Sequence, residues 1–331
     1  MMRTIRWGII GCGDVTEVKS GPGFQKANHS QLVAVMRRNG DLARDYARRH
    51  GVPKWYEDAD ALIADPEVDA VYVATPPAAH KDYTLLCARA GKPVYVEKPM
   101  ALDAEECRAM LEGCREAGVP LFVAYYRRAL PRFVKVKSLI DDGVIGDVRF
   151  VSVTLHQPLD AEATKSGALP WRLDRKIAGG GLFVDLASHM LDFLDYALGP
   201  IGEVGAFASN HANAYPVEDI VSGAFRFESG VHGMGTWCFT AFDKRDRTEI
   251  VGTAGRITYA TFDSSPIVLT TTAGTTELPI DSPPHIQQPL IQLVVNALNG
   301  VGKSPSTGES ALRTSRVMDQ MLAAYQSTTA R

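Results

Sequence analysis

The sequence predicts an α/β fold that opens with a doubly wound parallel sheet, and three observations predict it. Short apolar runs alternate with helical segments through the first third of the chain, a Gly11-x-Gly13 turn follows the first run directly, and 331 residues at 45% hydrophobic content suffice for two packed cores. Ile5–Ile10 reads as the first strand and residues 32–36 as the second, with a helical stretch between them, which makes a βαβ unit. Helices are then expected at 41–50 and 58–64, a strand at 70–74, a helix at 80–90, a strand at 93–96, a helix at 103–117 and a strand at 121–124. Nearly continuous apolar strands need cover on both faces, so the covering helices should lie on both sides of one parallel sheet.

Composition narrows the function classes. With 35 basic against 38 acidic residues and a net charge of −3, there is no global field to draw nucleic acid or anionic lipid. No apolar run approaches the ~20 residues that cross a bilayer, and residues 1–6 lack a signal-peptide pattern, so a cytoplasmic protein without a membrane partner is expected. Five cysteines, Cys12, Cys87, Cys107, Cys114 and Cys238, form no CxxC pair and read as reduced packing residues. His211, His232 and His285 show no metal-ligand spacing, and no metal is expected.

Gly11-x-Gly13-x-x-Thr16 is a near match to the dinucleotide fingerprint, with threonine at the third glycine position. The first glycine permits a tight turn and the second lets backbone approach a pyrophosphate. Where an NAD site usually carries an acid for the ribose 2′-hydroxyl, this chain reads Met36-Arg37-Arg38-Asn39. Arginine suits a 2′-phosphate, so NADP(H) is the favoured cofactor through Arg37 or Arg38, with NAD(H) the alternative. Thr75 and Pro76 end one strand and should border the cofactor; His80 reads as a helix-start residue. Glu97-Lys98-Pro99 ends the next strand, where Pro99 steers Lys98 out of helical geometry toward the same crevice.

In the second half, strands are expected at 148–155, 221–227, 231–237, 256–259 and 267–270, with Glu228-Ser229-Gly230 as a hairpin turn, and helices at Gln288–Leu298 and 310–325. Gly179-Gly180-Gly181 precedes Asp185, His189 and Asp192, which share one helical face among apolar neighbours. Burying three such groups is costly unless they are bonded or paired, which points to a site; a helix cap with a satisfied histidine is the plainer reading. Asp192 reads equally as a substrate ligand or as the acceptor for a buried donor.

Taken together, Gly11-x-Gly13, Ala74-Thr75-Pro76 with His80, Glu97-Lys98-Pro99, Trp171-Arg172, and Gly179-Gly180-Gly181 with Asp185 and His189 resemble the Gfo/Idh/MocA oxidoreductases over nearly the whole chain. The resemblance implies a Rossmann domain over 1–124 and, over 125–331, an α/β domain with a large, mostly antiparallel sheet, with nicotinamide and substrate between them. It implies Lys98 as the catalytic lysine, His189 as general acid/base and Asp185 as its carboxylate partner. It further implies Trp171 and Arg172 near the nicotinamide, and a homodimer or homotetramer formed through the C-terminal sheet. Tyr125, Tyr126 and Arg127 are expected in the cleft, where polar aromatic walls suit a sugar or polyol substrate. The function expected is an NAD(P)-dependent dehydrogenase or reductase acting on a sugar, polyol or related diol. An NAD-dependent glycosidase and a non-catalytic nicotinamide-binding regulator of the same fold are the alternatives.

Overall fold

Ile5–Ile10 forms β1, with five of its six residues buried, as a strand covered on both faces must be. The computed structural model describes residues 2–160 and 169–329, and the chain divides into one unit of Met1–Leu130 with Pro283–Leu312 and another of Pro131–Ser282 with Arg313–Arg331.

The first unit is built on a six-stranded sheet in the order β3-β2-β1-β4-β5-β6, every pair parallel. Its further strands are β2 (Ser30–Met36), β3 (Lys54–Tyr56), β4 (Ala70–Val73), β5 (Val94–Val96) and β6 (Leu121–Val123). The helices are α1 (Asp14–Val18), α2 (Gly21–Lys26), α3 (Gly40–His50), α4 (Ala59–Ala64), α5 (His80–Arg89) and α6 (Ala104–Glu116). The predicted doubly wound sheet is therefore present. Asn39, Asp58 and Asp103 start α3, α4 and α6 by accepting the backbone N–H of Leu42, Ala61 and Glu106. The edge strand β3 was not expected, because its three residues carry no apolar run, with Trp55 exposed and Lys54 and Tyr56 half-buried. Strand order reverses between β1 and β4, which places the Gly11 turn and Thr75 at the switch point of the sheet.

The expected single boundary after residue 124 is corrected. Residues 125–130 and the returning segment Pro283–Leu312 belong to the first unit. Within that segment, α10 (Gln288–Leu298) buries Leu290, Ile291, Val294 and Val295 and packs on α2. The Ser306 hydroxyl then donates to the Val123 carbonyl at 2.7 Å, and Thr307 bridges Phe122, closing the β6 edge.

The second unit carries an eight-stranded sheet in the order β14-β13-β12-β11-β7-β10-β9-β8, antiparallel except where β7 meets β10. The strands are β7 (Val148–His156), β8 (Ile201–Ser209), β9 (Ile220–Phe227), β10 (His232–Cys238), β11 (Arg245–Gly252), β12 (Gly255–Tyr259), β13 (Ile267–Thr271) and β14 (Gly274–Leu278). The turn after β9 forms as expected, with Gly230 at φ 87° donating to the Phe227 carbonyl. Three strands carried no usable pattern: β8 holds two glycines and fully buries none of its residues, β11 opens Arg-Asp-Arg, and β14 is an exposed edge. One face of the sheet buries Val151, Val153, Leu155, Val221, Phe225, Trp237, Ile250 and Ile257.

That face is covered by α7 (Pro131–Asp141) and by the run from α8 (Arg175–Ala178) through Gly179-Gly180-Gly181 and a π-helical turn, Phe183–Ala187, into α9 (Ser188–Leu198). Phe183 meets Trp237 edge-on at 5.3 Å, and Phe193 meets Phe133 at 4.9 Å. The span Arg175–Leu198 is long and apolar enough on average to cross a membrane, although Asp185, His189, Asp192 and Asp195 interrupt its apolar stretches. In the fold, 78% of its apolar window is buried, as suits a core segment. The last helix, α11 (Gly308–Thr329), runs out of the first unit into the second. All five cysteines are free, and four are buried.

Candidate active site

Each unit holds a cluster of chemically competent side chains. In the first, Gly11 follows β1 at φ 89°, and a side chain there would put its Cβ 2.8 Å from the Thr75 methyl. A Cβ at Gly13 would meet only the Gly11 carbonyl oxygen at 3.8 Å, so the backbone stays open to an approaching group. Thr16 accounts for the departure from the fingerprint. Fully buried, it accepts the Gly13 N–H at 3.0 Å and donates to the Gly13 carbonyl at 2.7 Å, so it ties the turn down by hydrogen bonds. The close approach that a third glycine would allow occurs instead at Gly21, where a Cβ would lie 2.3 Å from both the Thr16 carbonyl oxygen and the Tyr46 hydroxyl. This open, glycine-lined turn at a sheet switch point fits a dinucleotide pyrophosphate.

Arg37 and Arg38 are both exposed at the end of β2. The Arg37 guanidinium donates to the Cys12 carbonyl at 3.5 Å, which sets it beside the glycine turn, and no acidic residue stands between Met36 and Asn39. Thr75 is half-buried and Pro76 exposed at the end of β4.

His80, expected only to begin a helix, is fully buried and joins two of the motifs. Its Nε2 meets the Thr75 carbonyl at 2.7 Å and its Nδ1 the Pro99 carbonyl at 3.0 Å. Burial drives its pKa down against these carbonyls, which favour the charged form. Glu97, buried behind Lys98, is the anchor of the lysine loop. Its carboxylate accepts from the Tyr72 hydroxyl, from Gln287 Nε2 at 2.6 Å and from the Lys98 backbone N–H at 3.1 Å. Tyr95 donates to Gln287 Oε1 at 3.3 Å and completes the network. Lys98 itself is half-buried and joined to Pro99 by a cis peptide bond. Tyr126 and Arg127 are buried in a 3₁₀ turn, with the guanidinium 5.1 Å above the Tyr126 ring. Tyr125, expected in the cleft, is instead a core residue with no exposure, packed among the strands of the sheet.

In the second unit the segment from Gly179 onward forms the other cluster. Asp185 lies in the π-helical turn rather than in a regular helix, and His189 is in the first turn of α9. His189 is buried at 4% exposure with its ring edge-on to Phe262, and Asp192 is fully buried and accepts from the Thr314 hydroxyl at 3.4 Å. Arg172 pairs with Asp185 at 3.2 Å while its guanidinium lies 4.4 Å above the Trp171 ring, so the Trp171-Arg172 element is a contact of the acidic residue.

Two groups of this unit were missed. Asp195, one turn below Asp192, accepts from Arg313 Nε and Nη2 at 2.8 and 2.7 Å. Glu218 is 2% exposed and accepts the Gly181 N–H at 2.7 Å; burial pushes its carboxyl up to about 7. Arg313 follows Asp195 by more than a hundred residues, and Glu218 follows Gly181 by 37. Sequence spacing carries no trace of either pair, although a Glu218-Asp219 doublet just before a strand is an unusual place for two acids.

Known proteins share both halves. Residues 5–125 match the model of the oxidoreductase family with an NAD-binding Rossmann fold, and residues 133–258 match the GFO/IDH/MocA C-terminal domain. The chain is 39% identical to Oxidoreductase P35 of Formosa agariphila, over 96% of this chain and 98% of that one. It is 31% identical to the 1,5-anhydro-D-fructose reductase of Ensifer adhaerens, over 93% and 92% of the two chains. The crystal structure of the aldose-aldose oxidoreductase of Caulobacter crescentus, complexed with glycerol, superposes with a TM-score of 0.87 at 26% identity, covering 98% of each chain. With likeness at this level running from end to end, the chain belongs to the Gfo/Idh/MocA family of oxidoreductases and carries its NAD-binding Rossmann fold.

Proposed function

We propose that the protein is a dehydrogenase or reductase that moves hydride between NADP(H) and a sugar, polyol or related diol. The observation that carries this reading is the Glu97 network, which fixes a half-buried lysine at the end of the same sheet whose switch point holds the open glycine turn. A bound nicotinamide supplies the hydride donor or acceptor. The chain's own residues handle the proton and the oxygen. His189 takes the hydroxyl proton in oxidation and returns it in reduction, Asp185 orients and charges the imidazole, and Lys98 hydrogen-bonds the reacting oxygen. Tyr126 and Asp192 are assigned to the substrate side. The substrate class is supported by the relatives, among them a 1,5-anhydro-D-fructose reductase and an aldose-aldose oxidoreductase.

The cofactor preference rests on Arg37 and Arg38, which stand where an acid would hold the ribose of NAD(H), and Arg37 lies beside the glycine turn. We also assign homo-oligomer formation to the uncovered face of the second sheet. There Phe207, Met234 and Phe150 are 82%, 55% and 38% exposed on β8, β10 and β7, which with β9 form four consecutive strands of the sheet. Light scattering on Phe207→Glu and Met234→Glu tests that face, since a mass unchanged from the parent protein would remove the assignment. For the activity, a panel of aldoses, ketoses, inositols and diols assayed by NADPH and NADH absorbance is decisive. Turnover of a sugar or polyol with a lower KM for NADP(H) is the expected result, and sugar release from a glycoside without net absorbance change would replace this reading with the glycosidase one.

A further inference from the structure

We propose that Glu218 is a positioning residue for Asp185, acting through the single residue Gly181. Gly181 is gripped on both sides of its backbone: its N–H donates to Glu218 Oε1 at 2.7 Å, and its carbonyl accepts the Asp185 N–H at 3.4 Å. One residue therefore separates the buried carboxyl from the turn that carries the candidate acid–base pair. The three consecutive glycines make the grip sterically feasible. A Cβ at Gly181 would sit 2.9 Å from both the Glu218 carbonyl oxygen and Val217 Cγ2, and one at Gly180 would sit 3.2 Å from Glu218 Oε1 and 2.5 Å from Val184 Cγ2. The backbone at Gly180-Gly181 and the loop before β9 are packed too closely for any side chain there, so the carboxyl reaches the backbone directly.

The need for such a grip follows from the turn itself. Phe183–Ala187 is π-helical, and a π turn inside a helical run is an uncommon geometry that recurs at functional sites and has to be held by its surroundings. No side chain caps its start. At its first residue Phe183 is anchored on Trp237, and at its middle Arg172 draws on the Asp185 carboxylate. Glu218 supplies the fixed point for the backbone just ahead of both, at Gly181. Removing a group that holds a reacting side chain costs rate even where fold and ligand affinity survive, because a misplacement of about 1 Å can lower turnover on the order of 100-fold.

The inference rests on Asp185 belonging to the acid–base machinery, and the test separates the two claims. In the full chain, Glu218→Ala, Glu218→Asp and Glu218→Gln are compared by hydrogen–deuterium exchange of peptides covering residues 179–187. The same proteins are assayed for kcat, and for KM of NADPH, with the sugar turned over fastest in the panel above. Glu218→Ala removes the acceptor, Glu218→Asp withdraws it by one methylene, and Glu218→Gln keeps an amide oxygen within reach of the Gly181 N–H. The expected result is exchange faster by about tenfold or more and kcat lower by about tenfold or more in the Ala and Asp variants. KM for NADPH should stay within about twofold, and Glu218→Gln should restore both readings toward the parent protein.

Parent-like exchange and kcat in Glu218→Asp, or a Gln variant as impaired as the Asp variant, would overturn the proposal. If the Ala variant does not fold, the Asp and Gln pair decides alone. A parent-like kcat in Asp185→Asn would instead remove Asp185 from the mechanism, while the exchange measurements would still report whether Glu218 holds the turn.

Discussion

The two clusters hold their reactive groups by different means. In the first unit Lys98 and Thr75 sit on loops at the ends of parallel strands, and the groups that fix them, Glu97, Tyr72 and His80, come mostly from the same or the adjacent strand and its following helix. In the second unit Asp185 sits on a π-helical turn and His189 on the first turn of the helix that follows, and their supports, Arg172, Glu218 and Phe262, come from three separate parts of the chain. A sheet edge brings neighbours together by topology, so local sequence carries most of its design. A helix start buried under a sheet depends on whatever distant segments pack against it.

The largest effect should come from removing the reactive groups themselves. Lys98→Ala and His189→Ala are each expected to lower kcat by about 10²–10⁴-fold while fluorescence still detects NADPH binding. Full turnover in either variant would break the division of labour described above. Next in size is a pH effect on stability confined to the second cluster. The Glu218 carboxyl titrates near 7 in the fold and near its ordinary value of 4.5 once unfolded. The unfolded chain therefore releases this proton first, and the contribution is complete below about pH 4.5 and lost as pH rises through about 7. Relative to Glu218→Gln, the parent protein should lose on the order of 3 kcal/mol between pH 4.5 and 8, read from urea unfolding at each pH. A difference that stays constant with pH would show that the carboxyl does not titrate there.

How much of this was legible from residues alone follows the same division. The doubly wound character of the first sheet, the Gly11 turn, the lysine loop and the placing of Asp185 and His189 on one segment could be read from periodicity and spacing, because each is local; the π turn that carries Asp185 could not. The Thr16 substitution was visible as a departure, but its compensation at Gly21 needs the Tyr46 hydroxyl, which comes from α3. Tyr125 was misplaced because an aromatic pair at a strand exit does not say which ring turns inward. Gln287 could not have been found: it meets Glu97 across 190 residues of sequence. The strands β8 and β11 escaped because a sheet with one uncovered face tolerates glycine and charge where a buried strand does not.

Two smaller predictions sharpen the contrast on the first-unit side. Gln287→Leu leaves the Glu97 carboxylate short of one donor in a buried place and should destabilise the protein by about 1–3 kcal/mol in urea unfolding, with kcat falling as Lys98 loosens. An unchanged midpoint would mean that Tyr72 and the Lys98 N–H suffice. Smallest, Arg37→Ala should raise KM for NADPH by about tenfold and leave KM for NADH near its parent value, since one charged hydrogen-bonding partner of a 2′-phosphate is lost. Equal changes for both cofactors would take the 2′-phosphate away from Arg37.

The return of Pro283–Leu312 to the first unit sets a rule for recombining this protein with its relatives. The chain passes from one unit to the other three times, at Leu130, Ser282 and Leu312. A chimera spliced only at Leu130 would pair one parent's Glu97 with the other parent's residue at position 287, and one parent's β6 with the other's Thr307. The exchangeable module is discontinuous, and a functional swap has to move both of its pieces together.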